Sequence, residues 1–194
     1  MTTNLKKIYD YLKSAGLTDE GALGLIGNLY AESGLKPENV QNSYEKKIGM
    51  SDWEYVEAVD NGTYSGDDFI DGIGFGIAQW TFSTRKAALY EYIKAKNLSI
   101  ASLEGQLGFL IYELGTSYPS LLGLLKTTHS IKEASDAVLT KFERPTDMSE
   151  SNKDRRAQIG ETLAKELSIG MDVKTNVKDP IETVVSLAES QVGY

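Results

Sequence analysis

Asn28-Leu29-Tyr30-Ala31-Glu32-Ser33-Gly34 sets a carboxylic acid at the end of an apolar helical stripe. Ala22, Leu25, Leu29 and Glu32 follow one another at spacings of three, four and three, so they share one side of a helix. That helix is expected to begin after the capping residue Thr18 and to stop at Gly34. Glu32 takes a place where the pattern asks for a hydrophobe. Partial desolvation and the negative end of the helix dipole would both raise its pKa, which is how a carboxyl is kept protonated for general-acid work. The competing reading is a last-turn glutamate whose side chain reaches water, as most helical glutamates do.

A second segment, Asp71-Gly72-Ile73-Gly74-Phe75-Gly76-Ile77-Ala78-Gln79-Trp80, places three glycines at alternate positions ahead of an amide and an indole. Glycine at that density lets a ligand approach the backbone closely, or simply makes a tight bend under the core. It is no dinucleotide fingerprint, because the helix-opening glycine and the surrounding strand-helix-strand unit are both missing.

Together these segments resemble the phage-associated lysozyme-like glycoside hydrolases of tail-tip proteins and of the N-terminal parts of modular endolysins. The matching residues run in order: Gly27 to Leu35, then Gly74 to Trp80 with Arg85, then Gln106-Leu107, Phe109-Leu110 and Glu113-Leu114, and finally Phe142-Glu143-Arg144-Pro145. They span roughly residues 5 to 168. The resemblance implies a mainly α, lysozyme-like α+β fold, with a small loop or hairpin region between the catalytic helix and a central helical bundle. It implies an enzyme that cuts the glycan strand of peptidoglycan, with Glu32 as proton donor and Gln79 as the amide that contacts substrate.

Composition is compatible with one catalytic domain. The 194 residues are 41% hydrophobic and 25% charged, enough to bury one core. Cysteine is absent, which removes disulfides, thiolate metal sites and cysteine nucleophiles. The single histidine, His129, lies in a polar run and suits a surface role; one histidine serves neither a Ser-His-Asp triad nor a histidine-rich zinc site. No metal or cofactor is expected. A net charge of −8 disfavours nucleic acid as a partner. There is no apolar run of about 18 residues, and Met1 to Lys7 lack the core of a secretory signal, so no membrane partner is expected. Delivery to the wall through a holin lesion or as part of a virion is what the resemblance implies.

Along the chain, Leu5, Ile8, Tyr9 and Leu12 form a first helical stripe ended by Gly16. Ser51-Asp52-Trp53-Glu54 and Ser130-Ile131-Lys132-Glu133 read as capping boxes, and Ser65 to Asp68 as a further cap. Helices are expected at 52–60, 84–95, 102–114, 119–127, 131–142 and 151–168, with loops in 35–50 and 61–80. Leu107, Phe109, Leu110, Ile111 and Leu114 suggest the central buried helix. The expected division is a glycosidase domain over 1–169, a polar linker over 170–180 and, over 181–194, the start of a second domain. The ending Ala188 to Tyr194 resembles the opening of cysteine-dependent peptidoglycan amidohydrolases; a C-terminal helix docking back on the domain is the alternative.

Glycoside hydrolysis usually needs a second carboxylate, whereas transglycosylases work with one acid and a substrate acetamido group. Asp67, Asp68 and Asp71 are candidates, and Asp71 is preferred because it directly precedes the glycine element. Gln41 or Asn42 could instead position water. Flat side chains should stack on sugar rings: Trp80 is the preferred platform, Tyr44 and Tyr30 are further candidates, and for Tyr30 and Phe82 core packing is the stronger reading. Glu143-Arg144 suggests a buried ion pair. The function expected is cleavage between N-acetylmuramic acid and N-acetylglucosamine. N-acetylglucosaminidase, lytic transglycosylase, a non-catalytic wall-binding module and a structural tail domain are the alternatives.

Overall fold

A computed structural model describes residues 3–168. The expected linker and second domain lie outside the described residues. The helices are α1 (Thr3–Ser14), α2 (Asp19–Ser33), α3 (Asn42–Ile48), α4 (Asp52–Asp60), α5 (Gly66–Phe69), α6 (Ser83–Lys94), α7 (Leu103–Ser117), α8 (Pro119–Leu125), α9 (Ile131–Val138) and α10 (Glu150–Glu166), with a π turn at Leu139–Glu143 between the last two. The only extended pairing among the described residues is the pair of isolated bridges Val40–Phe75 and Phe75–Trp80. A mainly α fold with a minimal hairpin is thus what the chain adopts.

Local chemistry accounts for several of the helix starts. Ser51 and Ser65 each accept from the backbone N–H three residues on, while Glu54 and Asp68 bond back to the serine N–H, so both boxes are complete. At α9 only half of the expected box forms. Ser130 Oγ accepts from Glu133 N, but the Glu133 carboxylate is taken by the Thr128 hydroxyl, which itself accepts from Ser130 N. Thr18 caps α2, accepting from Gly21 N at 3.0 Å. Segments expected to be loops also hold two short helices, α3 and α5.

The chain divides into two compact units, and the divisions fall inside α2 and α7. Of the described residues, the first holds 3–31 and 113–168. Its main element is α2, in which every residue from Gly21 to Leu29 is buried. The central buried helix is therefore α2; α7 keeps an exposed side, with Tyr112 54% exposed. Small residues explain how α2 is enclosed. A Cβ on Gly24 would come within 2.4 Å of the Ala134 Cβ, and one on Gly27 within 2.5 Å of the Arg156 carbonyl oxygen. Asn28 is buried among these helices, its amide donating to Gly24 O at 2.9 Å and to Ser135 Oγ at 3.0 Å.

The second unit, residues 32–112, is built on aromatics. Phe69 meets Phe75 edge-on at 5.4 Å, Tyr55 lies 5.8 Å from Phe75, and Trp80 meets Phe109 edge-on at 5.5 Å. This cluster backs the hairpin that carries the glycine element.

Close packing at Gly24 gives a paired test. Gly24→Ala should destabilise the protein by about 1–3 kcal/mol, since neither the Ala134 methyl nor the Ser135 backbone can yield cheaply. Gly123→Ala on α8, with nothing within 4 Å of the added methyl, should stabilise it by about 0.5–1 kcal/mol. Urea denaturation of the two variants checks both signs.

Candidate active site

Glu32 is the penultimate residue of α2 and is half-buried. Its helix ends in two successive left-handed residues, Gly34 at φ 61° and Leu35 at φ 63°. A fully buried leucine in that conformation is unusual and is held by its surroundings. The neighbouring Ser33 is buried, and its hydroxyl donates to the Ile77 carbonyl at 2.9 Å. The acid's own segment is therefore tied directly to the glycine element.

That element is a tight hairpin, in which Phe75 and Trp80 exchange both backbone hydrogen bonds. Between them Gly76 takes φ 75°, and a Cβ there would strike the Gln106 Oε1 at 2.5 Å. Gln106, fully buried on α7, reads the turn: its Oε1 accepts from Ile77 N at 2.9 Å, and its Nε2 donates to the Pro37 and Ile100 carbonyls at 2.6 and 2.7 Å. Gln79 is left-handed at φ 45°, and its Nε2 donates to the Asn39 and Gly76 carbonyls, both at 3.1 Å. Its carbonyl oxygen lies against Gly74, where a Cβ would meet it at 2.7 Å.

Gln41 reaches the same glycine from the other side. Its backbone N–H donates to Gly74 O at 2.8 Å, and its Oε1 accepts from Gly74 N at 3.1 Å. Gln41 and Gln79, two of the expected site residues, thus converge on Gly74, and both are half-buried. Tyr44 is half-buried on α3, and Tyr30 is half-buried on α2 two residues before Glu32.

Three expectations need correction. Trp80 has no exposed surface, because its place in the hairpin turns it onto Phe109; it is a core residue and cannot be a sugar platform. Phe82, assigned to the core, is instead 70% exposed at the start of α6. Arg144 is exposed and left-handed at φ 51°, which rules out a buried pair with Glu143. His129 is exposed, with 85% of its side-chain surface accessible.

Asp71 is also engaged differently from a nucleophile. Its Oδ1 accepts from the Lys86 ammonium at 2.6 Å and from Ile73 N at 2.9 Å, and its Oδ2 from the Tyr55 hydroxyl at 2.8 Å. Lys86 has no exposed surface, donates also to Ile73 O at 2.7 Å and lies 4.3 Å from the centre of the Phe69 ring. Burial pushes the Lys86 ammonium below the usual lysine range, and the bond to Asp71 pulls it partly back. Burial, then the Asp71 carboxylate, push the Tyr55 phenol well above the ordinary tyrosine value. The stripe Lys86, Leu89, Ile93 on α6 carried the signal for this buried lysine, since a cation there sits on an apolar side of the helix. Gln106 gave no comparable signal.

No group of three or more His, Cys, Asp or Glu side chains comes together as a metal site among the described residues. No described helix is long and apolar enough to cross a membrane.

The E-S-G helix end and the glycine hairpin, the two elements on which the resemblance to lysozyme-like proteins rests, are thus joined by a hydrogen bond. The chain belongs to the phage tail lysozyme family, whose model matches residues 3–167. It is also similar to morphogenesis protein 1 of Bacillus phage B103, with 24% identity over 181 residues. That match takes in 89% of this chain but 42% of the relative, so the chain spans less than half of the relative's length.

Two outcomes follow from the site. Gln106→Leu leaves a buried N–H and two buried carbonyls without their partner and should cost about 3 kcal/mol or more, read by denaturant unfolding. The raised Tyr55 pKa means that the unfolded chain loses this proton near pH 10 while the folded chain keeps it, so stability falls as pH rises above about 10. Tyr55→Phe should flatten that alkaline slope by about 1.4 kcal/mol per pH unit, measured by urea unfolding at pH 9 to 11.

Proposed function

We propose that the chain hydrolyses the glycan strand of peptidoglycan, with Glu32 as the proton donor. The observation that carries this is the bond from Ser33 to the Ile77 carbonyl, which fixes the residue beside Glu32 to the hairpin bearing Gln79. Membership of the phage tail lysozyme family supports the same substrate and an action at the bacterial cell wall.

In this reading Glu32 protonates the glycosidic oxygen as the bond to the anomeric carbon breaks, and the sugar takes on oxocarbenium character. The leaving oxygen keeps the proton from Glu32; water adds at the anomeric carbon and releases one proton, which restores the Glu32 acid. The Gln41 amide is the proposed group that orients the water, with Asn42 as its neighbour on α3. Gln79 is proposed to contact the substrate acetamido group through its carbonyl oxygen, and Tyr30 and Tyr44 to supply flat surfaces to sugar rings. The bond cut is proposed to be that between N-acetylmuramic acid and N-acetylglucosamine. Ile181 to Tyr194 are proposed, on sequence alone, to open an amidohydrolase domain.

One observation favours a second reading, lytic transglycosylation. Both Asp71 oxygens are held by Lys86, Ile73 and Tyr55, which suits a mechanism with a single acid and an acetamido nucleophile from the substrate.

Purified Gram-positive walls should release soluble glycan fragments with the wild-type chain. With Glu32→Gln, which keeps shape and removes the acid, release should fall by about a hundredfold or more while the circular dichroism and Tm stay unchanged. Mass spectrometry of the ends separates the readings: reducing N-acetylmuramic acid means muramidase, reducing N-acetylglucosamine means glucosaminidase, and anhydro ends mean transglycosylase. Equal release by both proteins would sink the assignment of Glu32.

A further inference from the structure

Lys86 is a fully buried cation for which the proposed chemistry has no use. Its three donors meet three oxygens: Asp71 Oδ1 at 2.6 Å, Ile73 O at 2.7 Å and the Tyr55 hydroxyl at 3.3 Å. Replacing a buried ion pair by apolar groups of similar volume is often neutral or stabilising, so core packing alone gives no reason for charge here. The geometry gives another. Asp71 Oδ1 also accepts from Ile73 N at 2.9 Å, so the pair grips both the N–H and the C=O of Ile73. The next residue is Gly74, whose own N–H and C=O are both bonded to Gln41.

We propose that Lys86, acting with Asp71, is a positioning residue: it clamps the Ile73 peptide groups and thereby sets Gly74 as the backbone template against which the Gln41 amide is aligned. Lys86 contacts no substrate in this account. Its effect is transmitted through one residue of backbone, which is short enough to be stiff. The inference rests on the role proposed for Gln41, but its structural half can be measured without any catalysis.

The test compares wild type with the double variant Lys86→Met/Asp71→Asn, which removes both charges and nearly conserves volume. Amide hydrogen exchange followed by NMR should show Gly74 and Ile73 protected in the wild type to the level of the α6 core. In the folded double variant that protection should fall by about tenfold or more, while α6 and α7 keep theirs. Turnover on soluble glycan oligomers should fall by about tenfold or more, with KM changed by less than about threefold, because alignment and not binding is lost. Unchanged Gly74 protection, or wild-type turnover in a folded double variant, overturns the proposal. Should the variant fail to fold, the wild-type exchange decides: free exchange at Ile73 and Gly74 means there is no clamp, and core-level protection upholds it. An inactive wild type would count against the glycosidase reading and leave the exchange result to judge the clamp.

Discussion

A single buried amide organises residues 32–112. Gln106 has no solvent to bond with, so each of its polar atoms must find protein, and it finds three segments that are distant in sequence: Pro37, Ile77 and Ile100. The hairpin turn, the chain leaving α2 and the approach to α7 are thereby locked together by groups that are costly to leave unmatched. Gly76 follows from this constraint, because only a residue without Cβ leaves room for the amide. The aromatic cluster supplies burial energy but little direction, whereas the amide specifies which turn lies against which loop.

Two of the left-handed non-glycine residues lie around the same place. Leu35, at the end of α2, and Gln79, in the hairpin, both adopt left-handed backbone that side chains with a Cβ rarely enter. One follows the proposed acid by three residues, and the other is the amide proposed to contact substrate. Conformations of this kind persist only where the surroundings over-determine them, and Gln79 shows how: its side chain bonds to two carbonyls of the loops that flank it. The first unit shows a different economy, in which glycines let α9 and α10 approach α2 until backbones nearly touch.

Sequence pattern and physical chemistry made part of this legible. The capping residues at Ser51, Ser65 and Thr18 mark helix starts where the structure has them, because a cap is a local interaction. The span expected for α4, 52–60, matches Asp52–Asp60. Burial read less well, because it depends on partners far along the chain. Gly21, Gly24 and Gly27 dilute the apolar pattern of α2, yet they are what allows that helix to be enclosed on every side. Trp80 and Phe82 are equally aromatic, and only the pairing of Trp80 with Phe75 determines which of them turns inward. At the candidate site, the Glu32 and Gln79 segments could be marked as a combination, but the bond between them passes through Ser33, whose hydroxyl gave no advance signal. Lys86 reads as an ordinary solvated charge until its spacing from Leu89 and Ile93 is weighed against its polarity.

The distribution of indoles has an experimental consequence. The chain has two tryptophans, Trp53 and Trp80, one 62% exposed and the other fully enclosed, and both belong to residues 32–112. Intrinsic emission is therefore a local reporter: its blue component comes from the hairpin core and its red component from the surface of α4. Residues 3–31 and 113–168 contribute helicity but no indole signal. Melting curves recorded by emission and by far-ultraviolet circular dichroism thus watch different parts of the molecule, and their superposition is a direct measure of whether the two units unfold as one.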